Sequence, residues 1–108
     1  MEDFFKDVPY SVTVCDADGC VVYQNETAIK KDGDALGSNL KDCHSPRSWQ
    51  MICDMLESGR SNVYTITKNG RHKIIHQQPW LKDGSIAGII ELSIELPAPL
   101  EALPHYDR

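Results

Sequence analysis

Residues 62–96 read NVYTITKNGRHKIIHQQPWLKDGSIAGIIELSIEL. Three runs rich in β-branched residues are separated by two turn signals. Asn69-Gly70 between alternating segments predicts a type I′ hairpin, whose two central residues both need positive φ. "LKDGS" at 81–85 turns the chain again. Strands joined by such tight turns run antiparallel, since parallel neighbours need a long crossover. In the last run Ile86, Ile90, Leu92, Ile94 and Leu96 fall on one face, with Gly88 between them. Ala87, Ile89, Glu91, Ser93 and Glu95 fall on the other.

Working outward, "YSVTVC" (10–15) alternates, with Tyr10, Val12 and Val14 on one face. "DADG" supplies turn chemistry and "CVVYQN" a second strand, so residues 10–25 predict another hairpin. Residues 2–8 predict a short helical lead-in whose Phe4 and Phe5 need something to pack on. Asn25 is placed to cap a helix over the residues that follow it. "DGDALGSN" reads as loop. Trp49, Ile52, Cys53 and Leu56 recur at i, i+3, i+4 and i+7, one helical face that Met51 and Met55 widen and Gly59 ends. Two strands, short helices and three more strands make an α+β architecture, an antiparallel sheet with helices on one face.

A chain of 108 residues holds one core. Residues 1–96 are expected to form it, with the proline-rich 97–108 as tail or linker. No apolar run approaches the ~18 residues that cross a bilayer. "MEDFFKDVPY" lacks the apolar core of a secretory signal, which makes the cytoplasm the expected location. The formal net charge of −5 argues against nucleic acid, because phosphate binding needs a basic face. Cys15, Cys20, Cys43 and Cys53 lack both C-x-x-C and zinc-knuckle spacing, so four reduced thiols and no metal are expected.

The chain resembles a PAS domain over about residues 4–96. The features are Val14-x-Asp16-x-x-Gly19, Asn25 after an aromatic strand end, Leu36-Gly37 before a helix, and the ending "QPWLKDGSIAGIIELSIEL". The resemblance implies a five-stranded antiparallel sheet in the order 2-1-5-4-3 with short helices covering one face. It also implies a non-enzymatic sensory or interaction module of bacterial-type signal transduction. Such modules bind a small ligand, or none, between sheet and helices. They pair with a second copy or another signalling domain.

"DCHSPRSW" (42–49) is the candidate chemical site. Ser45 as N-cap and Pro46 at the first helical position explain much of it without a ligand. "CHSPRS" is similar to a Cys-His-Pro-Pro-Lys-Ser stretch found in a subset of bacterial PAS domains. A helix N-terminus beside Arg47 favours anions and lowers thiol pKa values, which keeps a thiol enzyme built on Cys43 as an alternative. Side chains adjacent in an extended loop tend to point apart, so His44 is expected to be a poor base for Cys43. A flavin photosensor is not expected: in "GSNLKDCH" Leu40 stands where the photoactive cysteine belongs, and the flavin-binding asparagines are missing from "RHKIIHQQPW". A haem or other cofactor-binding redox or gas sensor would use His44 or His76 as its ligand.

With Trp80 taken to face the helices, alternation brings Gln78, His76, Ile74 and His72 to the same side. His76 and Gln78 then either satisfy each other or the opposing backbone, or lie where the helices leave the sheet open to water, or line a small polar pocket closed by Trp49, Tyr23 and the "CHSP" loop (43–46). Asn25 and Arg47 complete the set of candidate ligand-binding residues. Val63, Ile75 and Ile89 then fall on the outer face, among Thr65, Lys73, Gln77 and Glu91.

Overall fold

A computed structural model describes residues 2–108. Five strands, β1 (Ser11–Asp16), β2 (Val21–Gln24), β3 (Asn62–Lys68), β4 (Arg71–Lys82) and β5 (Ser85–Leu96), form one sheet in the order β2-β1-β5-β4-β3. Every neighbouring pair is antiparallel. Between β2 and β3 lie α1 (Glu26–Asp32), α2 (Leu40–Cys43) and α3 (Pro46–Ser58). A 3₁₀ turn (Leu100–Ala102) follows the sheet.

Local signals act as read. Asn69 and Gly70 have φ of 53° and 75°, and Lys68 pairs with Arg71 across them, which makes the two-residue primed turn. Ser45 Oγ accepts from Ser48 N at 3.1 Å with Pro46 next in line, and Gly59 ends α3 with its N–H on Met55 O. The lead-in differs: residues 4–7 form turns rather than a helix, and Phe4 and Phe5 are 78% and 45% exposed. The lead-in is held by its backbone instead. Lys6 O accepts from Glu26 N, and Phe5 O from Asn25 Nδ2.

The core fixes which sheet face is covered. Ile52 and Met55 of α3 meet Cys15 and Ile89, with Leu40, Trp49 and Leu56 packed around them. Burying an isoleucine of this kind contributes about 1.5–3 kcal/mol. Residues paired across strands share a face, so Thr13, Glu91 and Gln77 lie on the helix side with Cys15 and Ile89. Ile75 and Ser93 join them two positions on.

This reverses the predicted faces of β4 and β5. Ile75, Ile89, Lys73, Gln77 and Glu91 are on the helix side, while His72, Ile74, His76 and Gln78 are on the outer side. On β3, Val63 and Thr65 pair with His76 and Ile74 and so stand on the outer side, as predicted. Trp80 is the reason. It pairs with Gly88, lies over it on the outer face, and donates from Nε1 to Cys15 O at 3.0 Å. The residues at even spacing from it go with it. The register then steps by one: Trp80 pairs with Gly88 but Leu81 with Ile86. Ile86 therefore leaves the face of Ile90 and sits on the helix side, against Gly59 at the end of α3.

Candidate functional site

Between the sheet and the helices lies a cavity of about 510 Å³. Cys15, Leu40, Ile52 and Ile89 give it apolar walls, and Cys43 and His44 stand on its lining. Burial pushes the Cys15 thiol up from its ordinary range. The floor is polar. Asn62 Nδ2 donates to Gln77 Oε1 at 3.0 Å, and Gln77 Nε2 donates to Glu91 Oε2 at 2.7 Å. This relay crosses β3, β4 and β5. Among the described residues the Glu91 carboxylate takes only this one side-chain hydrogen bond, leaving Oε1 for a donor in the cavity. Asp32 and Asp34 add negative charge, and Lys31 is the lysine on the lining. Tyr64, beside the floor, has its phenol raised by burial and then by the Glu91 charge. Apolar walls with a few placed polar groups are the usual form of a small-molecule site.

Of the residues predicted for a site, the cavity brings together Cys43 and His44. The two do not point apart. Cys43 is the last residue of α2 and His44 its C-cap, and Sγ lies 3.6 Å from Nδ1. The thiol also reaches Asn39 O and Leu40 O at 3.6 and 3.7 Å, back along its own helix turn. Arg47 is exposed in the first turn of α3 and does not line the cavity. Trp49 packs into the core and over Gly19, where a Cβ would stand 2.6 Å from its ring. His76 and Gln78 are on the outer face, so neither His76 nor Gln78 reaches the cavity and His76 is no ligand for a cofactor held there.

Asn25 is 1% exposed and spends its whole side chain on the fold. Oδ1 accepts from Val12 N and Ala28 N; Nδ2 donates to Phe5 O and Tyr10 O. No bond is left for a ligand. Tyr23 pairs with Val14 across the hairpin, away from the cavity, and its hydroxyl donates to the Asp3 carboxylate at 2.6 Å. Removal from water, and then Asp3, push the phenol up to about 12. A raised folded-state pKa stabilises the fold fully below the ordinary value of about 10 and loses that contribution as pH climbs toward 12. The stability gap between the parent and Tyr23→Phe is therefore expected to hold constant to about pH 10 and shrink above it. Urea unfolding over pH 7–11.5 measures it, and a gap that widens with pH refutes the assignment.

Sequence reasoning missed Thr13, Lys31, Gln77 and Glu91. A signal for Glu91 was present: it breaks the apolar run at the centre of "IAGIIELSIEL", where a charge is costly unless it faces a polar site.

No helix among the described residues is long and apolar enough to cross a membrane. No protein-family profile and no curated protein sequence matches the chain. Solved structures do. The C-terminal domain of a Streptococcus mutans protein superimposes with a TM-score of 0.72 at 17% identity, covering 86% of this chain and 80% of that one. The PAS domain of the histidine kinase ThkA gives 0.65 at 20% identity, covering 79% and 98%. VqmA bound to DPO gives 0.64 at 22% identity, covering 85% of this chain and 54% of VqmA, so the match spans about half of that protein. The sheet order, the helices on one face and these likenesses agree: the chain has the PAS fold.

Proposed function

We propose that this chain is a non-enzymatic sensory and interaction module of the cytoplasm that binds a small hydrogen-bond donor, such as an amine, amide or polyol, in the sheet–helix cavity. The observation that carries this reading is the Asn62–Gln77–Glu91 relay, whose Gln77 and Glu91 line the cavity, with Glu91 Oε1 left for a guest. A donor engaging Glu91 pulls on a hydrogen-bond chain that joins three strands. β5 leads directly into residues 97–108, which offers a route from an occupied cavity to a partner. The PAS fold of a histidine kinase domain and the likeness to a ligand-bound VqmA support a sensory role. The outer face, where Ile74, Ile90, Leu92 and Ile94 are only partly buried, supports pairing with a second copy or another signalling domain.

Native mass spectrometry of freshly purified protein tests both parts, reporting assembly mass and any retained small molecule. Glu91→Ala is expected to weaken retention about tenfold, the loss of one charge-assisted hydrogen bond. Retention unchanged by Glu91→Ala, or no retained molecule together with no binding of amines, amides or polyols by NMR titration, overturns the reading.

A further inference from the structure

The helices leave one end of the helix-side face bare. They pack on β1, β2, β5 and part of β4, whereas β3 is exposed from Val63 to Lys68. Beside the Asn69-Gly70 turn this bare end is basic. Lys68 pairs with Arg71, and Lys73 follows two residues on, so all three share the helix-side face. From the last turn of α1, Lys31 reaches the same ground. Its Nζ donates to Ser93 Oγ at 3.1 Å, and both lysines line the same cleft. Burial, and then Lys31, hold the Lys73 ammonium below its ordinary range.

Lys31, Arg71 and Lys73 line a cleft of about 200 Å³ together with Ser11 and Ser93, whose side chains are buried at 5% and 6% exposure. Lys68 extends the basic wall in the adjoining depression. Two carboxylates share this ground, Glu95 on the lining of the cleft and Asp32 in the adjoining depression, against four cations. Glu95 lies 3.5 Å from Arg71 Nε, and among the described residues neither Lys31 nor Lys73 has a carboxylate within 4.0 Å. Four of the eleven Lys and Arg residues of a chain with net charge −5 are thus gathered in one place. Two ammonium groups facing each other repel, and an anion between them turns that repulsion into attraction. Ser93 Oγ accepts from Lys31 and keeps its own proton to donate, as does Ser11. The volume suits a tetrahedral oxyanion with a few waters at ~30 Å³ each.

We propose that this cleft binds a small divalent oxyanion of the phosphate class, held by Lys31, Lys73 and Arg71 with the Ser11 and Ser93 hydroxyls as neutral donors. The site lies beyond the cavity described above and shares only Lys31 with it.

Orthophosphate and methyl phosphate are titrated at pH 7.5 and constant ionic strength, with NaCl as the balancing salt. Amide shifts and Tm are followed. Saturable shifts at residues 31, 71–73 and 93 are expected, with Tm rising about 6 °C at ten times Kd. Lys31→Gln and Lys73→Gln are expected to abolish the response and Lys73→Arg to keep it. Glu91→Gln, in the cavity, keeps it too, so the two sites can fail separately. Equal affinity for both probes identifies a phosphate monoester as the guest, and preference for orthophosphate identifies the free ion. A response no larger than that to NaCl, or one that survives in Lys73→Gln, overturns the site.

Discussion

Replacing Asn25 with alanine is expected to lower stability by roughly 3–5 kcal/mol. The side chain makes four hydrogen bonds between 2.8 and 3.0 Å. Each joins a different stretch of backbone: the start of β1 at Val12, the first turn of α1 at Ala28, the lead-in at Phe5, and Tyr10 just before β1. Loss of an N-cap alone costs about 0.5–2 kcal/mol. Leaving a buried backbone group unpaired costs about 1–3 kcal/mol more, and water reaches a 1% exposed position poorly. Against the 5–15 kcal/mol typical of a whole domain this is a large fraction. Asn25→Asp separates the contributions. It keeps the acceptor for Val12 and Ala28 but sets a carboxylate oxygen against the Phe5 and Tyr10 carbonyls. Hydrogen exchange at Glu26 N, which bonds Lys6 O, is then expected to accelerate while α1 stays formed. Denaturant unfolding measures the alanine cost, and a loss under about 1 kcal/mol contradicts the structural role.

The sequence revealed architecture well and orientation poorly, and the difference is physical. Turn chemistry is local: Asn69-Gly70, Ser45-Pro46 and Gly59 each act through their own backbone, so element order and the antiparallel sheet could be read from them. Facing is not local. β4 and β5 carry isoleucine at both parities, Ile74 beside Ile75 and Ile89 beside Ile90, and so alternation in apolarity does not say which face the helices cover. Trp80 was the tie-breaker and pointed the wrong way, because a large aromatic is satisfied as well by a neighbouring glycine and a carbonyl as by a helical layer. The predicted site inherits that facing: it puts His76 and Gln78 in the cavity and leaves Gln77 and Glu91, one residue out of phase on each strand, outside it. Asn25 caps α1 as its position predicts, but it fails as a ligand residue for another reason. A buried amide with four backbone partners looks, in sequence, the same as one with a free hand.

Gly88→Ala is the substitution expected to damage the sheet most. A Cβ there would lie 1.9 Å from Cys15 O, 2.8 Å from Cys15 C and 2.6 Å from Trp80 Nε1. The first two obstacles are backbone of the neighbouring strand and do not rotate away. Relief requires β1 and β5 to separate where Asp16 pairs with Gly88, or the indole to leave Cys15 O, and in practice both. We expect a cost above about 3 kcal/mol, beyond ordinary overpacking because no rotamer relieves it. Removing the indole distinguishes the two obstacles. Trp80→Phe alone gives up one hydrogen bond, about 1 kcal/mol. If the indole were the main obstacle, Gly88→Ala with Trp80→Ala would be no worse than Trp80→Ala; with the carbonyl nearer, most of the penalty remains. Chemical denaturation of the four proteins measures this coupling. The consequence extends to function, because Cys15 belongs both to the strand that would move and to the cavity wall. A protein that tolerated alanine at 88 with its cavity unchanged would show that β1 and β5 do not approach as closely here as the Trp80–Cys15 bond requires.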